Sequence, residues 1–122
     1  MICDRYAIFL LDDEPLILMD LEFAAEDRDY RVFSASCVAK ALDILEKHRD
    51  GIDTAVLDVT LQDGETCLPV ARWLEKNGIP YVLHSGDLNR QNEKLRELTA
   101  PLIAKPAASE DVIKRAIGQI AA

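Results

Sequence analysis

Tyr6-Ala7-Ile8-Phe9-Leu10-Leu11-Asp12-Asp13-Glu14-Pro15 is the stretch on which the fold turns. An apolar run ends abruptly in adjacent carboxylates, and a proline follows. A run with no polar interruption is what a strand covered on both faces requires, as in a parallel sheet. Pro15 suits the first turn of a helix, where a missing N–H costs nothing. Strand, acidic turn and helix together make one βα unit.

Working outward, the chain repeats that unit five times. A helical pattern runs from about Pro15 to Arg28, and Tyr30-Arg31-Val32-Phe33-Ser34-Ala35 alternates as a partly exposed second strand would. Val38, Ala41, Leu42 and Leu45 then recur at i, i+3, i+4 and i+7, the spacing of one helix face. Residues 53–57 form the third apolar run, and a third helix is predicted from Glu65 to Asn77, closed by Gly78. Ile79 to His84 reads as a fourth strand, Leu88 to Leu98 as a polar, weakly amphipathic helix, and Pro101 to Ala104 as a short fifth strand. Ser109 is predicted to cap a last helix whose Ile113, Ala116, Ile117 and Ile120 share a face. Five βα repeats imply an α/β fold, a parallel sheet with helices on both faces.

The 122 residues fit one domain, expected to span 1–122 with no output domain attached. With 49% hydrophobic and 30% charged residues the composition is that of a globular protein, not a disordered one. No apolar stretch approaches 18 residues and the N-terminus lacks a signal-peptide pattern, so a cytoplasmic location is expected and no membrane partner. Cys3, Cys37 and Cys67 are widely spaced and odd in number, which reads as reduced thiols. A net charge of −8 with no basic stripe argues against nucleic acid as a partner.

The chemistry gathers at the strand ends. Asp12 and Asp13 follow the first strand, Asp58 the third, Ser85 and Gly86 the fourth, and Lys105-Pro106 the fifth. In an open α/β sheet these positions share the carboxyl edge, where ligands bind. Each has a plainer reading. Asp-Asp-Glu-Pro makes a good helix N-terminus, Asp63-Gly64 a turn, Ser85 a strand-end turn, and Lys105-Pro106 a surface lysine before a proline that can take a cis bond. Together they are harder to dismiss. Two unit charges 4 Å apart repel by roughly 4 kcal/mol at an effective dielectric near 20, so three carboxylates there need a cation, a lysine or raised pKa values. Hard oxygen donors suit Mg²⁺.

The arrangement resembles the receiver domain of two-component response regulators, element by element over the whole chain. The resemblance rests on Asp12, Asp13, Asp58, Ser85 and Lys105-Pro106. It implies a flavodoxin-like (βα)5 fold with strand order 2-1-3-4-5, an order that periodicity alone does not provide. It also implies that Asp58 accepts a phosphoryl group from a histidine kinase or a histidine phosphotransfer protein. Asp13, Asp58 and the Thr60 backbone carbonyl would bind Mg²⁺, with Asp12 reaching it directly or through water. Lys105 and the Ser85 hydroxyl would bind phosphoryl oxygens. The output would be a changed surface read by a downstream protein, or onward relay of the phosphoryl group. Such a domain assists its own phosphorylation without being an enzyme in the ordinary sense.

Some positions depart from the family pattern. Leu102 stands where many receivers carry an aromatic ring, which rules out an aromatic-rotamer readout there. The loop Val59-Thr60-Leu61-Gln62-Asp63-Gly64 is short and lacks the usual proline, and Ala107 replaces a bulky residue. Thr60 and Asp87 fall where the family tunes access of the hydrolytic water. His84 reads as a buried or half-buried strand residue rather than a second phosphoacceptor or metal ligand, His48 as a structural helix end, and Trp73 as core cover. Leu88, Arg90, Leu95, Leu98 and the last helix form a candidate contact face. Two other functions remain open: a phosphorylation-independent binding module on the same fold, and an aspartyl-phosphate phosphohydrolase of the haloacid dehalogenase type. The second wants an acid two residues after the nucleophile, where this chain has Thr60.

Overall fold

The computed structural model describes residues 6–61, 64–86, 98 and 100–120. Five strands, β1 (Ala7–Leu11), β2 (Arg31–Ala35), β3 (Thr54–Asp58), β4 (Tyr81–Ser85) and β5 (Leu102–Ala104), form one sheet in the order β2-β1-β3-β4-β5. Every neighbouring pair is parallel. The order is the doubly wound, flavodoxin-like one, with its reversal of direction beside β1. Among the described residues the helices are α1 (Pro15–Glu26), α2 (Val38–Lys47), α3 (Leu68–Lys76) and α4 (Ser109–Ile120). Residues 88–97 of the expected helix, Asp87, Asp63, and Leu88, Arg90 and Leu95 of the expected contact face lie outside the described residues, whereas Leu98 is buried in the core rather than on a contact face.

All five residues of β1, β3 and β4 are buried, as the uninterrupted apolar runs require. Alternation sends Phe9, Leu11, Ala55, Leu57 and Leu83 to one face, where Ala41 and Leu45 of α2 and Val70, Ala71 and Leu74 of α3 cover them. Ile8, Leu10, Val56, Val82 and Ile103 point the other way, against Leu21 and Ala25 of α1 and Val112, Ile113 and Ala116 of α4. Trp73 packs on the first of these layers and donates Nε1–H to Glu46 Oε1 at 2.7 Å, so it is core cover. His48 ends α2 with its ring 4.5 Å from that of Phe33.

Two helix starts differ from the sequence reading. α3 begins at Leu68, three residues late, because residues 59–61 and 65–67 pair with each other first. Cys67 N–H donates to the Val59 carbonyl, Leu61 N–H to the Glu65 carbonyl, and Thr60 bridges antiparallel to Thr66. Ser109 is the first helical residue of α4 rather than its cap. The Ala108 carbonyl accepts the Val112 N–H at 3.1 Å and thus takes the cap position. Gly78, just after α3, has φ +70, the left-handed conformation that favours glycine at a helix end.

Candidate functional site

The carboxyl edge of the sheet collects the polar groups. One carboxylate oxygen from each of Asp12, Asp13 and Asp58 lies within 4.8 Å of the others. Asp12 is 1% exposed and Asp58 5% exposed, although each extends a strand of aliphatic residues. Asp12 is pinned from both sides: its N–H donates to the Ala35 carbonyl, and its Oδ1 accepts the Glu14 N–H at 2.9 Å. That bond satisfies an orphan N–H at the start of α1, so the plain helix-terminus reading of Asp12 is also true. It leaves Oδ2 facing the site.

Lys105 enters from the end of β5. Its Nζ lies 3.3 Å from Asp12 Oδ2 and 3.3 Å from Asp58 Oδ1. The backbone aims it: Lys105 N–H donates to the Ser85 carbonyl at 2.9 Å, and the Lys105–Pro106 peptide is cis. Ser85 ends β4 and is buried. Gly86 is not forced by crowding, since a Cβ there would meet Lys105 Cβ at an ordinary 3.9 Å. Thr60 is exposed, two residues beyond Asp58 in the bridged turn. Leu102 is half-buried and packs on the layer beneath α2 and α3. Thus Asp12, Asp13, Asp58 and Lys105 converge, with Ser85 joined through the backbone.

One lysine does not balance three carboxylates. Burial, and next the Asp12 charge, push Asp58 up to about 7, against the pull of Lys105. A side-chain hydrogen bond with Asp13 adds to the rise. Burial works against the Lys105 ammonium, but Asp58 and Asp12 outweigh it and hold its pKa above the ordinary value. The field of Asp58 reaches Cys67 as well, whose thiol is pushed up to about 12, mainly by burial. The donor set is all oxygen, carries excess negative charge and sits at a ligand-binding edge. It fits a small hard divalent cation.

His84 is the residue whose part the sequence did not disclose. It is 3% exposed and pairs in register with Asp58, and neither ring nitrogen has a hydrogen-bond partner among the described residues. Its sequence signal is a histidine inside an apolar strand, one residue before Ser85.

No protein-family model matches the chain, and no curated protein matches its sequence. Solved structures do match. A response regulator receiver protein from Sinorhizobium medicae WSM419 is 26% identical, with a TM-score of 0.84 over 98% of this chain and 97% of that one. SdrG from Sphingomonas melonis Fr1 is 33% identical, with a TM-score of 0.79 over 99% of this chain and 100% of its own. SdrG from Pseudomonas melonis Fr1, in its BeF3-activated conformation, is 32% identical, with a TM-score of 0.73 over 98% of this chain and 100% of that one. The chain belongs to the response regulator receiver domains.

Proposed function

We propose that this receiver domain is a phosphoacceptor in which Asp58 takes a phosphoryl group from a phosphohistidine. The observation that carries the reading is the cluster of three carboxylates at the sheet edge, two of them paired with the half-buried Lys105. The donor's N–P bond breaks as a P–O bond forms at an Asp58 carboxylate oxygen, and the departing imidazole keeps its electron pair. The product is an acyl phosphate. Asp58 needs no general base, since its carboxylate is the nucleophile once the proton raised by burial is displaced.

Phosphoryl transfer is chiefly positioning and neutralisation of charge on the equatorial oxygens. Asp13, Asp58 and the Thr60 backbone carbonyl would hold Mg²⁺, with Asp12 binding directly or through water. Bound there, Mg²⁺ supplies the charge neutralisation that a single lysine cannot. Lys105 leaves Asp58 Oδ1 to donate to a phosphoryl oxygen, and the Ser85 hydroxyl donates to another. The added charge and acceptor oxygens then bias a surface equilibrium that a partner reads. SdrG's BeF3-activated conformation supports an activatable site in this chain too.

The partner side is supported by α1. Leu16, Met19 and Phe23 stand out from it at 71%, 40% and 59% exposure, spaced along one side of the helix that begins beside Asp12 and Asp13. An apolar stripe next to an acceptor suits a protein that must dock to deliver its phosphohistidine, a histidine kinase or phosphotransfer protein. Among the described residues no helix is long and apolar enough to cross a membrane.

The test is incubation with acetyl phosphate, with and without Mg²⁺, followed by intact mass. One added phosphoryl group, dependent on Mg²⁺ and lost in Asp58→Asn, is the expected result. A wild-type chain that binds Mg²⁺ yet takes no phosphoryl group from acetyl phosphate or any histidine donor overturns the reading. It would leave the phosphorylation-independent binding module.

A further inference from the structure

Among the described residues, His84 is where a buried side chain lacks hydrogen-bond partners: Nδ1 and Nε2 both go without. Leaving a buried polar atom unpaired forfeits its hydration with no return, and such groups call for a reason. Leucine or valine would fill this strand position without that cost, as Val82 and Leu83 do next to it.

The surroundings supply the reason. His84 pairs with Asp58 on β3 and with Ile103 on β5. Alternation along β4 turns it to the face of Val82, the face that also carries Val56 and Ile103 and that α1 and α4 cover. Asp58 and Lys105 continue the same alternation on β3 and β5, so all three side chains leave the sheet on one side. Burial, and next the Lys105 charge, lower the His84 pKa, while Asp12 acts in the opposite direction. An imidazole with no anion bonded to either nitrogen offers one N–H to donate and one lone pair to accept.

Counting donors on this face matches one vacancy to another. An ammonium has three N–H donors. Lys105 directs two of them at Asp12 Oδ2 and Asp58 Oδ1. Its side chain is 15% exposed, and no third partner for Nζ stands among the described residues. The Thr54 hydroxyl at the far end of the face already spends its proton on backbone carbonyls. Among the described residues, the third donor of Lys105 and the acceptor of His84 are without partners and lie on the same side of neighbouring strands.

We propose that His84 is a positioning residue for Lys105: its ring lone pair takes the third ammonium proton through one internal water and fixes Nζ between Asp12 and Asp58. The four-carbon lysine stem has many rotamers to lose. An anchor below the carboxylates removes that freedom before a phosphoryl group arrives, so exchange of Asp58 for a phosphoryl oxygen becomes a small rotation about a held point. The contact stands independently of phosphorylation, but its kinetic consequence rests on the phosphoacceptor reading above.

The test has two arms. The first is heteronuclear NMR of the imidazole nitrogens in the full chain without donor, comparing wild type with Lys105→Met. A single His84 tautomer whose unprotonated nitrogen shifts when Lys105 is replaced is the expected result, and this arm needs no His84 variant to fold. The second is acetyl phosphate kinetics on His84→Leu and His84→Gln. Losing the anchor is expected to slow phosphorylation about tenfold, the scale of a modest misplacement of a catalytic group. His84→Gln, which keeps an acceptor, is expected to recover most of that loss. The proposal is overturned if the His84 nitrogens ignore Lys105→Met. It is equally overturned if His84→Leu raises Tm with no change in rate, as removal of a merely orphaned polar group would. If wild type takes no phosphoryl group, the NMR arm still decides the contact, and the failure belongs to the phosphoacceptor reading alone.

Discussion

At the amino-terminal end of the sheet, Thr54 Oγ1 shares its proton between the carbonyls of Ala116 at 2.9 Å and Pro80 at 3.1 Å, and Asp53 Oδ2 accepts the Ala7 N–H at 2.8 Å. Those polar groups are paired and join β1, β3, the approach to β4 and α4. At the carboxyl end of the same strands, Asp12, Asp13 and Asp58 crowd one lysine, and His84 has no hydrogen-bond partner among the described residues. Strand β3 runs from one condition to the other in five residues. One end is arranged for stability. The other holds charge and hydrogen-bonding capacity in excess, which is the condition for binding something.

The comparison is broken most severely at the carboxyl end. Lys105→Met is expected to slow phosphorylation from acetyl phosphate by about 10²–10³-fold, the usual loss when a pre-placed donor to developing charge is removed. Mg²⁺ binding should persist, since the carboxylates remain. Phosphorylation kinetics with a parallel Mg²⁺ titration check both. A variant that phosphorylates at the wild-type rate would remove Lys105 from the chemistry.

At the opposite end the effect should be on stability alone. Thr54→Val removes the hydroxyl that ties the Ala116 carbonyl to that of Pro80, which keeps the Ala55 N–H, and is expected to cost about 0.5–1.5 kcal/mol, read as a lower urea midpoint with unchanged slope. Phosphorylation should be unaltered. A loss of activity without loss of stability would show that the two ends are coupled.

The pH dependence separates the ends more gently. In metal-free protein Asp58 is raised from 3.8 to about 7. Between those values the folded state keeps a proton that the unfolded chain has released, so stability falls as pH rises through that window. It is fully present below the ordinary carboxylate pKa and lost by about 7. Mg²⁺ favours the charged form and should flatten the decline, and Asp58→Asn should abolish it. Thermal denaturation from about pH 4 to 8, with and without Mg²⁺, measures this. A slope unchanged in Asp58→Asn would place its origin elsewhere.

The smallest stability effect should fall on α1. Phe23→Ala removes an exposed ring and should change stability by no more than about 0.5 kcal/mol, the usual range at the surface. Binding to the phosphohistidine donor should weaken, which titration calorimetry with a cognate kinase would detect. The buried side of the same helix gives the contrast: Leu21→Ala is expected to cost about 2–5 kcal/mol.

Much of this molecule was legible before folding. The runs at 6–11 and 54–57 read as buried strands because so short and unbroken an apolar stretch, bounded by polar residues, suits a strand covered on both faces. The spacing of Val38, Ala41, Leu42 and Leu45 identified a helix face that the core does bury or half-bury. The placing of Asp12, Asp13, Asp58, Ser85 and Lys105 at one edge followed from parallel strands alone. Less legible was the start of α3, because a one-residue bridge between Thr60 and Thr66 leaves no periodic signal. Ala108 displaced Ser109 as the cap for a similar reason. A backbone carbonyl decides where helical bonding begins, and a side-chain preference only advises it.

The sequence by itself determined the class of fold and the roster of polar residues at the sheet edge, because both follow from local pattern: apolar runs, helical spacing, and what ends each strand. Only the tertiary structure decided what those residues are to one another. Register set Asp58 beside His84, alternation put them on the face of Lys105, and burial took the imidazole out of bulk solvent and raised the Asp58 pKa. Electrostatics and hydrogen bonding depend on distance and solvent, and neither is defined until the chain has folded.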